Sequence, residues 1–114
     1  MEKDLEMRTK RFALAALKFT AALPHSREAD VLARQLARAA TSIGANYREA
    51  NRAVSRADFS NKIGTVQKEA AETQYWLELL IEFKLATGAV AADLHHESSE
   101  FLAIFASIGK KLKH

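Results

Sequence analysis

Arg27, Arg34, Arg38, Arg48, Arg52 and Arg56 are the side chains best suited to hold a ligand. They follow one another at separations of 7, 4, 10, 4 and 4. At 100° per residue all six fall within about 80° of arc on one helix. If that helix continues through Arg56, the row runs about 40 Å at 1.5 Å per residue. No acidic residue stands between Val31 and Arg48, and no lysine accompanies the arginines. A guanidinium is a planar fork that matches phosphate or carboxylate through paired hydrogen bonds. The spacing therefore predicts a surface that tracks the phosphates of RNA or DNA. On that reading Arg34, Arg38, Arg48 and Arg52 face solvent without close carboxylate partners. Two other roles stay open. The row is a solvated helix face, or it pairs with Glu69, Glu72, Glu78 or Glu82 of a neighbouring subunit. Lys110, Lys111 and Lys113 form a second basic cluster, which at a helix C-terminus complements the dipole.

Other chemistry is missing. The chain has no cysteine, which excludes disulfides, thiolate metal sites, iron–sulfur clusters and thiol nucleophiles. The histidines are His25, His95, His96 and His114, and none lies three residues after a glutamate. The Glu-x-x-His pairs that hold two metals in helical bundles are thus absent. There is no phosphate-binding glycine loop, nucleophile elbow or H-E-x-x-H helix. We expect no catalytic residue, no metal and no cofactor. One polar set remains. Ser42, Asn46 and Glu49 climb one side of the second helix, and Glu69 and Glu72 climb the third. Antiparallel pairing of the two helices brings these groups together, with Arg38 and Lys62 as counter-charges. The expectation is an interhelical hydrogen-bond network that sets register; the alternative is an acid–amide site.

A third pattern is apolar. In Tyr75-Trp76-Leu77-Glu78-Leu79-Leu80-Ile81-Glu82-Phe83, Leu77, Leu80 and Ile81 continue a core stripe. Trp76, Leu79 and Phe83 fall on a different face, with Tyr75 at its margin. Met7, Leu14 and Ala21 make a weaker second stripe on the first helix. A helix apolar nearly all round is buried nearly all round, so the second face predicts contact with another copy of the chain. The alternative is that Trp76 caps a wide core within one chain.

The elements that place these residues are helical. Alanine makes up about a fifth of the 114 residues, with one proline and four glycines. That composition suits long helices and lacks the turn residues of a sandwich. Pro24 ends the first helix, Ser26 caps the second, Ser55-Arg56-Ala57-Asp58 has capping-box form, and Gly88 suits the residue closing the third. We expect helices near 4–22, 27–54, 57–86 and 92–112. Their inner stripes include Leu5, Phe12 and Phe19; Leu36, Ile43 and Val54; Ile63, Val66 and Ile81; and Phe101 and Phe105. Short connections then give an antiparallel up-down-up-down four-helix bundle in a single domain spanning 1–114. The formal net charge of +3 permits a polyanionic partner without requiring one. With no apolar run long enough to span a bilayer and charges throughout the N-terminal stretch, we expect a cytoplasmic protein without membrane contact.

Two blocks resemble a known family. The run from Gln35 through Ser42-Ile43-Gly44-Ala45-Asn46-Tyr47-Arg48-Glu49-Ala50 resembles the second-helix signature of the 23S rRNA-intervening-sequence proteins, also called the four helix bundle family. Phe59 with Lys68-Glu69-Ala70-Ala71-Glu72-Thr73-Gln74-Tyr75-Trp76-Leu77 resembles the third-helix signature. The last helix departs, since Ala89-Val90-Ala91-Ala92 stands where members usually have a serine and acidic residues. The resemblance implies a bundle assembled as a ring-like homopentamer, with no established enzymatic activity. The accessory variability protein of diversity-generating retroelements, similar in fold, is a basic pentameric barrel that binds reverse transcriptase and nucleic acid. By that analogy the chain reads as a non-enzymatic, RNA-associated adaptor. A protein–protein scaffold without nucleic-acid contact is the alternative.

Overall fold

The computed structural model describes the backbone of residues 2–113 and the side chains of residues 4–113. Four helices follow one another: α1 (Glu2–Ala21), α2 (Arg27–Ala50), α3 (Arg56–Glu82) and α4 (Ala89–Leu112). Each packs on two neighbours in the cyclic order α1, α2, α3, α4; across the diagonal, α2 and α4 touch through the rings of Tyr47 and Phe105. The body measures 44 × 23 × 20 Å. Short links between contacting helices make neighbours antiparallel, which gives the expected four-helix bundle.

The caps explain where the helices begin. Ser26 and Ser55 are both extended, and their hydroxyls accept from Ala29 N–H and Asp58 N–H respectively. Asp58 Oδ2 accepts in turn from Val54 N–H at 3.3 Å, one residue before the position a capping box would use. The extended Ser55 forces the chain out of helix earlier than expected. α2 stops at Ala50, and Arg52 and Ala53 donate three-residue bonds to Glu49 and Ala50 that tighten its last turn. The expected span of 27–54 is thus too long. Val54 is 93% exposed and no part of the core.

α3 also ends early, at Glu82 instead of 86. The residue that closes it is Lys84, at φ 62, and not Gly88. Lys84 N–H bonds Ile81 O while Leu85 N–H reaches back to Leu80 O, a Schellman closure built on a lysine. Ile81 therefore lies outside the core, and Leu80 fills the interior. Gly88, at φ 98, caps the start of α4 without a side-chain bond. α4 begins at Ala89, three residues before the expected 92, because an alanine-rich turn forms helix readily.

The core joins Phe12 of α1, Leu36 and Ile43 of α2, Ile63 and Leu77 of α3, and Phe101 and Phe105 of α4. Phe12 and Phe101 meet edge to face with centroids 5.3 Å apart, and Tyr47 meets Phe105 at 5.0 Å. The hydroxyls of Thr9, Thr73 and Ser98 are buried, and each donates to its own helix backbone. Gly44 has a packing reason. A Cβ there would stand 3.0 Å from Thr9 Oγ1 and 3.2 Å from Thr9 Cβ. α1 and α2 approach closely at that point.

Candidate functional site

The six arginines do not form one row. Arg27, Arg34, Arg38 and Arg48 lie on α2, Arg52 sits in the following turn, and Arg56 opens α3. The single 40 Å row fails because α2 ends at Ala50. Arg56 Nη2 donates to Leu112 O at 3.3 Å and so helps satisfy the end of α4. Arg27 reaches Glu28 at 3.3 Å on an exposed surface, a pair of little energetic weight.

Arg38 departs most from the expected free phosphate ligand. Its Nη2 donates to Glu72 at 2.6 Å and its Nη1 to Glu69 at 3.4 Å. Both acids belong to α3 of the same chain, so the expected intersubunit pairing is not needed to satisfy it. The bond to Glu72 raises the guanidinium pKa above its ordinary value; burial opposes it, and the field of both carboxylates and the bond to Glu69 add to it. The Glu69 side chain is only 9% exposed, so Arg38 is the counter-charge that makes its burial tolerable. Arg48 Nε lies 3.8 Å from Glu6, a loose pair that leaves most of the fork open. Among the described residues, the side chains of Arg34 and Arg52 have no hydrogen bond or ion pair, and both residues are exposed.

The expected polar network divides. Lys62 Nζ donates to Glu49 at 2.8 Å, which raises the lysine pKa. Arg38 with Glu69 and Glu72 is the second rung between α2 and α3. Ser42 and Asn46 do not cross between helices. They donate to Arg38 O and Ser42 O of their own helix at 2.7 and 2.8 Å. Their short polar side chains find a backbone acceptor one turn back sooner than a distant carboxylate. The result is two ion-pair rungs in place of an acid–amide cluster.

The apolar face is also rearranged. Trp76 is half-buried against its own core, with its ring 5.2 Å from that of Tyr75. Its indole Nε1 is buried without an acceptor. Leu79 and Phe83 instead line an open groove of about 560 Å³ with Val31 and Leu32 of α2, rimmed by Arg27, Glu28 and Glu82. Phe83 is 61% exposed, and Tyr75 is exposed outside the groove. Met7, Leu14 and Leu17 are exposed on α1, and Ala21 is exposed on the same side.

Several contacts have no signature in the sequence. Arg8 of α1 grips Glu97 of α4 through two bonds of 2.7 and 2.6 Å, and its guanidinium lies 5.2 Å from the Phe101 ring centre. The Arg8 hydrogen bond is the main reason the Glu97 pKa lies below its usual range. On the α3–α4 seam, Glu78 meets His95 at 2.9 Å and Gln74 donates to Ser99 at 2.7 Å. These pairs span 89, 17 and 25 residues, so only the register of the packed helices could reveal them. Among the described residues no three His, Asp or Glu side chains gather in a way that could hold a metal ion. No helix is long and apolar enough to cross a membrane.

A second recess lies between α1 and α2. It encloses about 650 Å³ and is lined by Lys10, Arg48, Arg52 and Lys62, with Glu6 and Glu49 at its sides and small residues at its floor. It is the place where cations from three helices and a turn converge.

The model of the 23S rRNA-intervening sequence protein family matches residues 3–107. The chain belongs to this family. A crystal structure from Bacteroides thetaiotaomicron, described as a protein of unknown function from the S23 ribosomal protein family, has the same fold. It is 38% identical, superimposes with a TM-score of 0.87, and the match covers 96% of this chain and 99% of that one. No curated protein matches the chain. The two signature blocks of the sequence lie on α2 and α3, where they supply Arg38, Glu69 and Glu72 of one rung, Glu49 of the other, and the Gly44 contact with α1.

Proposed function

We propose that the protein is a non-enzymatic, RNA-associated adaptor of the cytoplasm that binds through the basic side of α2. The observation that carries this reading is the state of the arginines. Arg34 and Arg52 are exposed and unpaired among the described residues, and Arg48 is held only loosely at 3.8 Å from Glu6. They flank a stretch without a single acid from Val31 to Arg48. Such groups can neutralise phosphates without first breaking a strong internal pair. Arg38 is left out of the contact set because Glu69 and Glu72 already engage it. The family name, which refers to 23S rRNA intervening sequences, agrees in direction.

The reading includes self-assembly. The groove at Leu79 and Phe83, with the exposed Met7, Leu14 and Leu17 of α1, supplies apolar surface for a second copy. The resemblance to the family makes a pentameric ring the expected form. A ring repeats the basic face on each subunit and multiplies a weak contact by avidity. The same groove is the one observation favouring the alternative, a scaffold whose partner is another polypeptide.

Titration of structureless single-stranded RNA across a salt series tests the proposal. Affinity should fall linearly on a log–log plot, with a slope of about −0.7 per phosphate contact. The Arg34→Ala/Arg48→Ala variant should keep its fold and show a shallower slope. Wild-type protein that fails to bind RNA at about 50 mM salt would overturn the reading, and a salt-insensitive protein partner in its place would establish the scaffold.

A further inference from the structure

We propose that the recess between α1 and α2 seats the phosphodiester backbone of one single RNA strand, with Lys10 and Arg52 making the leading contacts and Arg48 and Lys62 closing around it. The proposal rests on the RNA reading above and adds where the strand lies and what form it takes.

The charges in the recess are unequal in availability. Its two carboxylates are already committed: Glu6 accepts from Asn51 Nδ2 at 2.8 Å, and Glu49 accepts from Lys62 Nζ at 2.8 Å. The side chains of Lys10 and Arg52 have no hydrogen bond or ion pair among the described residues. Arg48 and Lys62 offset Glu6 and Glu49, so the excess positive charge of the recess rests on Lys10 and Arg52. An incoming anion meets the two unpaired positive groups first, and Lys62, whose ammonium has three donors, can reach it while keeping its bond to Glu49.

The floor is suited to a backbone. Ala13, Gly44 and Ala45 line it, so nothing bulky stands between a ligand and the helix surfaces. The close approach of Gly44 to the fully buried Thr9 sets the helix separation at this point. The recess is thus a property of helix packing and is present before any ligand arrives, which lowers the ordering cost of binding. No aromatic residue lines it. It offers no stacking platform for bases and fits phosphates without reading sequence. The volume of about 650 Å³ lies between two helices of a body only 23 Å across. A slot of that kind admits one strand and not the broad cylinder of a duplex.

Fluorescence anisotropy with a short labelled oligouridylate tests this on the full-length protein. Lys10→Ala/Arg52→Ala removes both leading cations. Ala45→Glu places a carboxylate in the recess from an exposed helical position. Both changes lie outside the core, and circular dichroism checks that each variant is folded. Each variant should lose at least about tenfold in affinity, equivalent to about 1.4 kcal/mol. The double variant should also shallow the salt slope by about 1.4, at about 0.7 per single-strand contact. A duplex of equal length should compete poorly. If wild type binds and both recess variants bind equally well while Arg34→Ala weakens, the strand lies elsewhere on α2; the recess is then wrong and RNA association stands. Equal competition by the duplex overturns the single-strand assignment. If wild type binds no RNA, both readings fall, and a recess variant that changes the assembly state would show that the slot receives another copy of the chain.

Discussion

At the start of α2, Val31 and Leu32 face Leu79 and Phe83 across an apolar groove; near its end, Arg48 and Arg52 face Lys10 and Lys62 across a charged recess. The two lie about 25 Å apart at 1.5 Å per residue. Between them Arg38 clamps α2 to α3 through Glu69 and Glu72. The same residue type thus serves differently along one helix. Where a neighbouring helix grips it with two carboxylates, as at Arg38, arginine holds the bundle together; where it offers one distant carboxylate, as at Arg48, or none, as at Arg34, arginine stays open to a ligand. On the proposed reading, assembly and ligand contact fall at opposite ends, and each should be alterable without the other.

The largest effect expected is on assembly. Phe83→Asp exchanges an exposed apolar side chain for a charge in the groove. Burying one phenylalanine is worth about 1.5–3 kcal/mol, so subunit association should weaken by about 10- to 100-fold or more. Sedimentation should report the change, while the thermal midpoint of the bundle and the intrinsic RNA affinity per chain are preserved. Loss of fold in this variant would show that the groove belongs to the core.

Arg38→Ala comes next. It strands the buried Glu69 carboxylate, and the expected cost is about 1–3 kcal/mol of stability by denaturant unfolding. Arg34→Ala, a change to an unpaired exposed arginine on the same helix, should stay within about 0.5 kcal/mol. Equal effects from the two would contradict the division between clamping and available arginines.

The Arg8–Glu97 pair on the α1–α4 seam gives a smaller effect with a distinct pH signature. Arg8→Ala removes a two-bond contact and a cation–ring contact, for about 1–2 kcal/mol. The native state holds Glu97 at a lowered pKa. Its stabilisation is therefore complete above the ordinary glutamate value of about 4.3 and fades as pH falls through the lower native value. Glu97→Gln should flatten that acid limb without changing stability differences between pH 6 and 8, a range about two units or more above that value. Unaltered acid sensitivity would show that other carboxylates control it.

Much of the fold was legible because apolar spacing and caps are local. Ser26 and Ser55 mark the starts of α2 and α3, and Phe12, Ile43, Ile63 and Phe101 lie where their stripes put them. The helix ends were less legible. No glycine or proline stands between Ala50 and Ser55, and α2 stops because Ser55 must be extended to cap α3. Lys84 closes α3 in a left-handed conformation that favours glycine, so Gly88 misled. For the candidate site, residue types were readable and partners were not. Arg38 and Arg34 look alike in sequence, and only the register of α3 gives one of them Glu69 and Glu72. Lys10 was invisible as a site residue because the recess depends on how closely α1 approaches Gly44.

The most direct test of the central claim is the salt dependence of single-stranded RNA binding by wild type beside Lys10→Ala/Arg52→Ala and Phe83→Asp. The account predicts a linear log–log fall for wild type, a slope shallower by about 1.4 for the recess variant, and an unchanged slope per chain for the groove variant. RNA affinity that is absent, independent of salt, or lost only with Phe83→Asp would contradict it.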